Sequence, residues 1–125
     1  MTTSPHSGGQ DEYLSPEIKD VVCKLSHLLT PRIVAGLSGH QDPDLVREWG
    51  DGTSVPPDSA DTRLRFAHEV LSSIQRARHA SIAQSWAITV NPRLGYTTPV
   101  KAIREDRFVA AASAAKALLD EAYEG

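Results

Sequence analysis

The sequence predicts an all-α fold of six or seven helices. Three observations predict it. Apolar residues recur at i, i+3 and i+4 through most of the chain. A capping residue followed by proline, a helix-start signal, occurs at Ser15-Pro16, Thr30-Pro31, Asp42-Pro43 and Thr98-Pro99. No alternating apolar–polar run exceeds four or five residues. Ala87-Ile88-Thr89-Val90 comes nearest to a strand, but it continues from Trp86 at helical spacing.

Residues 1–14, MTTSPHSGGQDEYL, read as a disordered tail, because Ser, Gly, Thr and Pro leave little to bury. Ser15 as N-cap, Pro16 at the first helical position and Glu17 in the first turn open a helix to Leu29. Ile18, Val21, Val22, Leu25 and Leu28 form its apolar face. Thr30-Pro31 opens a short second helix with Ile33, Val34 and Leu37, closed by Ser38-Gly39. Asp42-Pro43 opens a third with Leu45, Val46 and Trp49, stopped by Gly50-Asp51-Gly52. Thr53 to Ala60 reads as a loop, with Pro56-Pro57 opposing a helix.

Asp61 is expected to cap a long helix whose stripe is Leu64, Ala67, Val70, Leu71 and Ile74. Arg63, Arg65, Glu69, Arg76 and Arg78 fall on its outer face. The next helix spans Ala80 to Val90, with Ile82, Trp86 and Val90 inward, and Asn91-Pro92 breaks it. Thr98-Pro99 opens a short helix to about Asp106. Arg107 to Tyr123 is the last, alanine-rich and strongly helix-favouring.

Composition narrows the function. The chain has 125 residues, a net charge of −3, 40% hydrophobic and 23% charged residues, ordinary values for a globular protein. The basic excess of a dedicated nucleic-acid binder is missing. Cys23, the single cysteine, excludes an intramolecular disulfide and fits a reducing cytoplasm. No apolar run approaches the roughly 18 residues of a membrane span, and the polar N-terminus is no signal peptide. His6, His27, His40, His68 and His79 lack ligand spacing, so no metal or cofactor is expected. No phosphate-cradling glycine loop or nucleophile–base pair suggests an enzyme with a small-molecule substrate.

Residues Thr30 to Gly52 have the shape of a helix-turn-helix: short helix, turn with Gly39, short helix. Trp49-Gly50-Asp51-Gly52 resembles the W-x-x-G close of Xre-type domains, in which the tryptophan packs the recognition helix. Gln41, Asp44 and Arg47 are the base-reading candidates, and in a dimer Arg63, Arg65, Arg76 and Arg78 would add a basic rim. The turn is one residue longer than the usual pattern. Asp42, Asp44, Glu48 and Asp51 also oppose DNA, since carboxylates repel the phosphates that supply most affinity. The plain alternative is a helical hairpin kept for packing.

The more specific signal is SIAQSWAITVNPRLGYTTPVKAIREDRFVAAASAAKALL, residues 81–119. Trp86, Asn91, Pro92, Leu94, Thr98, Pro99, Ala102 and Ile103 carry it. Each has a local reason: Asn91-Pro92 stops a helix, Thr98-Pro99 starts one, and the apolar members can close a small core. This spacing resembles the toxin-binding region of the Xre/MbcA/ParS antitoxin family. Together with the Xre-like half, the resemblance covers about Leu29 to Leu119.

The resemblance implies a divergent Xre-like region over 15–78 and a toxin-binding region over 79–125. Family members neutralise RES-domain toxins, which destroy NAD, by covering the toxin's NAD entrance. Many also bind their own operator DNA and form homo-oligomers. The partner-binding residues it implies are Trp86, Asn91, Arg93, Leu94, Lys101, Arg104 and Phe108. A stand-alone DNA-binding regulator and an adaptor for a non-toxin protein are the competing expectations.

Overall fold

The computed structural model describes residues 16–124. The tail expected over residues 1–14 and the cap expected at Ser15 lie outside the described residues. Among the described residues the protein is all-α, with seven helices, one 3₁₀ turn and no strand. The one extended pairing among them is an isolated antiparallel bridge between Asn91 and Thr97.

Helix α1 (Ile18–Leu29) buries Val21, Val22, Leu25 and Leu29. It starts after Pro16 rather than at it, with Glu17 at the N-cap and no side-chain cap bond. The Pro16 carbonyl accepts a hydrogen bond from Arg65 Nη1 at 2.6 Å, which ties the approaching chain to the long helix.

Helices α2 (Pro31–Ser38) and α3 (Pro43–Asp51) start where the sequence places them. Thr30 and Asp42 side chains accept from the Ile33 and Asp44 amides, and proline follows each cap. Both helices end on glycine in the left-handed conformation, Gly39 at φ 97° and Gly52 at φ 82°. Trp49 is buried, and its ring meets His40 edge to face at 5.4 Å.

Helix α4 (Asp58–Ala77) begins ahead of Asp61. Pro57 occupies the N-cap position in extended backbone, and its carbonyl accepts from the Asp61 amide at 2.8 Å. The proline thus starts the helix and does not bar it, because its missing N–H lies outside the ladder. Asp61 pairs with Arg65 Nε at 2.7 Å instead of capping.

Helix α5 (Ala80–Ile88) stops before Asn91-Pro92, at Thr89, whose backbone is extended. Its buried face is Ala83, Trp86 and Ala87. Ile82 and Val90, expected inward, are 36% and 54% exposed. With Ala83, Trp86 and Ala87 as the buried face, Ile82 falls at its edge. The extended Thr89 takes Val90 out of helical phase. The 3₁₀ turn Pro92–Leu94 follows, then α6 (Pro99–Arg104) and α7 (Phe108–Glu124). Ala111, Ala114 and Ala115 form the buried stripe of α7, and Val109 falls outside it.

One apolar core runs from Val21 on α1 to Ala115 on α7. Helix α2 packs against α6, and α4 packs against both α5 and α7. The regions 15–78 and 79–125 therefore share a core. Arg63 reinforces the seam. Its Nη1 donates to the Ser38 carbonyl at the end of α2 at 2.9 Å. Its Nε and Nη2 grip both carboxylate oxygens of Asp106, between α6 and α7, at 2.9 and 3.2 Å. The bidentate geometry suits a planar guanidinium, and the Arg63 side chain is only 17% exposed.

Candidate functional site

The segment from α5 to the start of α7 is built by its own backbone bonds. Asn91 Oδ1 accepts from the Arg93 amide at 2.9 Å, capping the 3₁₀ turn. The Asn91 carbonyl accepts from the Leu94 and Tyr96 amides, each at 3.0 Å, and its amide donates to the Thr97 carbonyl at 2.9 Å. Gly95 at φ 72° and Tyr96 at φ 65° are both left-handed, which folds the loop back on itself. Such a conformation favours glycine, and Tyr96 holds it while 73% exposed. Thr98 Oγ1 then accepts from the Lys101 amide at 3.1 Å to start α6. The Arg107 guanidinium donates to the Leu94 carbonyl at 3.2 Å, fastening the loop to α7.

The partner-binding candidates divide by burial. Trp86 and Leu94 belong to the core. Asn91 is half-buried and serves as the cap just described. Phe108 is half-buried and packs on Phe66 of α4, ring centres 4.8 Å apart at 43°. Arg93, Lys101 and Arg104 are exposed. The motif thus presents three exposed cations, while its apolar members mostly face inward.

The exposed apolar surface of this segment comes from other residues. Ile82, Trp86, Thr89 and Val90 line a groove of about 210 Å³ with Ser85 and Leu118. Ile88 at 48% and Val109 at 86% are further exposed aliphatics of α5 and α7. Trp86 Nε1 is buried and has no hydrogen-bond partner. A buried donor without an acceptor is uncommon and costly. Sequence reasoning missed Ile82 and Val90 because an i, i+4, i+8 series through Trp86 reads as one buried stripe. The signal that could have found them is the competing stripe Ala83, Trp86, Ala87.

The DNA-reading candidates sit on a different face. Gln41, Asp44 and Arg47 are exposed around the start and middle of α3. Asp42, Glu48 and Asp51 are exposed there too. Arg47 is paired with Asp44 within the helix. Of the four arginines read as a basic rim, Arg63 holds the fold through Ser38 and Asp106 and Arg65 through Asp61 and Pro16, while Arg76 and Arg78 are exposed. The α3 face therefore offers carboxylates with no free guanidinium of Arg47, Arg63 or Arg65 beside them.

Among the described residues, no group of three His, Cys, Asp or Glu side chains gathers as a metal ion would require. No described helix is long and apolar enough to cross a membrane. No family model, curated protein or solved structure matches the chain.

Proposed function

We propose that this chain is a non-enzymatic, cytoplasmic antitoxin that neutralises a RES-type NAD-degrading toxin by direct binding. The observation that carries the proposal is the exposed apolar groove of Ile82, Val90 and Leu118, with Trp86 at its back. It lies on the segment whose spacing resembles the toxin-binding region of Xre/MbcA/ParS antitoxins. Arg93, Lys101 and Arg104 are exposed cations on the same segment. An exposed apolar patch is the usual centre of a protein interface, and it is this patch rather than the cations that carries the reading. Operator binding through α3 receives less support, because its exposed face is acidic and Arg47, Arg63 and Arg65 are paired.

Co-expression of the tagged chain with the product of the neighbouring gene tests this reading. Wild-type chain is expected to retain the toxin on purification and to preserve cellular NAD. The double variant Ile82→Ser, Val90→Ser is expected to lose both effects while keeping its melting temperature. Retention undiminished by that variant, or dependent on α3 residues instead, contradicts the assignment. A gel shift against the chain's own promoter tests the DNA reading separately. Salt-sensitive binding that weakens with Gln41→Ala and Arg47→Ala would favour it.

A further inference from the structure

A second, larger groove of about 680 Å³ opens between α1, α4 and the start of α5. Its size falls within the roughly 300–1,000 Å³ of small-molecule sites. Its apolar lining is Leu25 and Leu28 from α1, Leu71 from α4 and Ala80 from α5. Its charged or chargeable lining is Lys24, His27, His68 and His79. No Asp, Glu or Arg lines it. That is a local inversion in a chain of net charge −3.

Lys24 is the one fixed cation of this lining, and the three histidines are its chargeable groups. Burial holds the half-buried His68 below the ordinary histidine pKa, and Lys24, Arg76 and Arg65 push the same way. Glu69 alone opposes them. Arg65 is already engaged by Asp61. His79 Nδ1 accepts from the Ser81 amide at 3.3 Å, so in the neutral ring the proton sits on Nε2, which is left free to donate. Ser72, Gln75 and Gln84 add polar side chains to the lining. Gln84 itself is anchored, donating to the Leu28 carbonyl at 3.0 Å.

We infer that this groove binds a small amphipathic carboxylate. Lys24 and His68 take the acid head, and Leu25, Leu28 and Leu71 take the hydrocarbon body. An acid head placed there pairs with the Lys24 ammonium and accepts from the His68 ring. A single carboxylate fits better than a nucleotide or polyphosphate. The lining holds no guanidinium fork for bidentate phosphate contacts and no glycine-rich loop. The site is separate from the proposed partner surface, so the inference does not depend on a toxin.

The test uses isotope-labelled full-length chain titrated with octanoate, octan-1-ol and inorganic phosphate, followed by amide shifts. Octanoate is expected to saturate at one molecule per chain, shifting amides of Lys24, Leu71, Ser72 and Gln84. It should bind at least tenfold tighter than either octanol or phosphate. Lys24→Gln combined with His68→Gln should lower octanoate affinity at least tenfold and leave octanol unchanged. The His68 ring titration should move to higher pH when octanoate is bound. Equal affinity for octanol would show that charge plays no part, and equal affinity for phosphate that the apolar lining plays none. Either result overturns the inference, as does octanoate binding that the double variant leaves intact. Because Lys24 is exposed, Lys24→Gln alone provides a folded control, expected to lose several-fold.

Discussion

Thr30 and Gly39 flank α2, and both stand at positive φ, 105° and 97°. For a β-branched residue this backbone is strained, at about 1–3 kcal/mol. Thr30 closes α1 through its amide and caps α2 through Oγ1, the latter bond a long 3.4 Å. Thr30→Gly removes the strain and forfeits a weak cap, which glycine replaces at a cost of only tenths of a kcal/mol. We expect a net gain of about 1 kcal/mol, read as a higher urea midpoint at unchanged slope. Gly39 behaves oppositely. A Cβ there would lie 2.5 Å from Arg63 Nη1. Gly39→Ala must therefore displace the guanidinium from Ser38 and Asp106, besides straining its own backbone. We expect a loss of about 1–3 kcal/mol in the same measurement, with Arg63→Ala losing a comparable amount. Arg63 itself was only half legible. Its place on the outer face of α4 followed from periodicity, but a helix face does not say which loop will fold over it.

At the scale of elements, helix starts were legible and helix phases less so. Thr30-Pro31, Asp42-Pro43 and Thr98-Pro99 each begin a helix, because a capping oxygen and a proline satisfy or remove orphan amides by local chemistry alone. Asp61 misled because Pro57 supplies the start instead, through backbone geometry that no side-chain cap advertises. Helix α5 misled for a different reason. Two stripes contain Trp86, one with large aliphatics and one with alanines, and only the partner helix decides between them. The burial of Ala83 and Ala87 has a measurable consequence. Ala83, with no exposed surface, should tolerate no enlargement, and Ala83→Leu is expected to lower stability by about 1–3 kcal/mol or more. Ile82→Ser and Val90→Ser should each change it by less than about 0.5 kcal/mol, as for other surface positions. Thermal melts of the three variants would rank them. Of the candidate interface, the motif's scaffold was legible and its exposed aliphatics were not.

At the scale of the molecule, the shared core sets cooperativity. Helices α5–α7 cover α2 and α4, and Arg63 pins the seam from both sides. A chain ending at Arg78 should lose the cooperative unfolding transition expected in circular dichroism of the full chain, because it uncovers Phe66, packed on Phe108, and the face of α4 that α5 and α7 cover. The charge pattern sets the response to pH. His68 has a folded pKa below its unfolded value, chiefly through burial and then through Lys24, Arg76 and Arg65. The unfolded chain therefore binds the proton more readily, and stability falls as pH drops below about 6.5. Above that pH His68 is neutral in both states and the penalty vanishes. Melting temperatures at pH 5 and pH 7.5 should differ more for wild type than for His68→Gln.

Helix α5 belongs to both grooves. Ser81 and Gln84 line the basic one, while Ile82, Ser85 and Trp86 line the apolar one. A helix of nine residues has little room to shift one side without the other. Any displacement of α5 by an acid in the first groove would alter the second, and thermodynamic linkage makes that influence reciprocal. The factor by which the acid changes partner affinity equals the factor by which the partner changes acid affinity. With both grooves filled as proposed, a small acid and a protein partner would read each other's presence through one short rod of backbone.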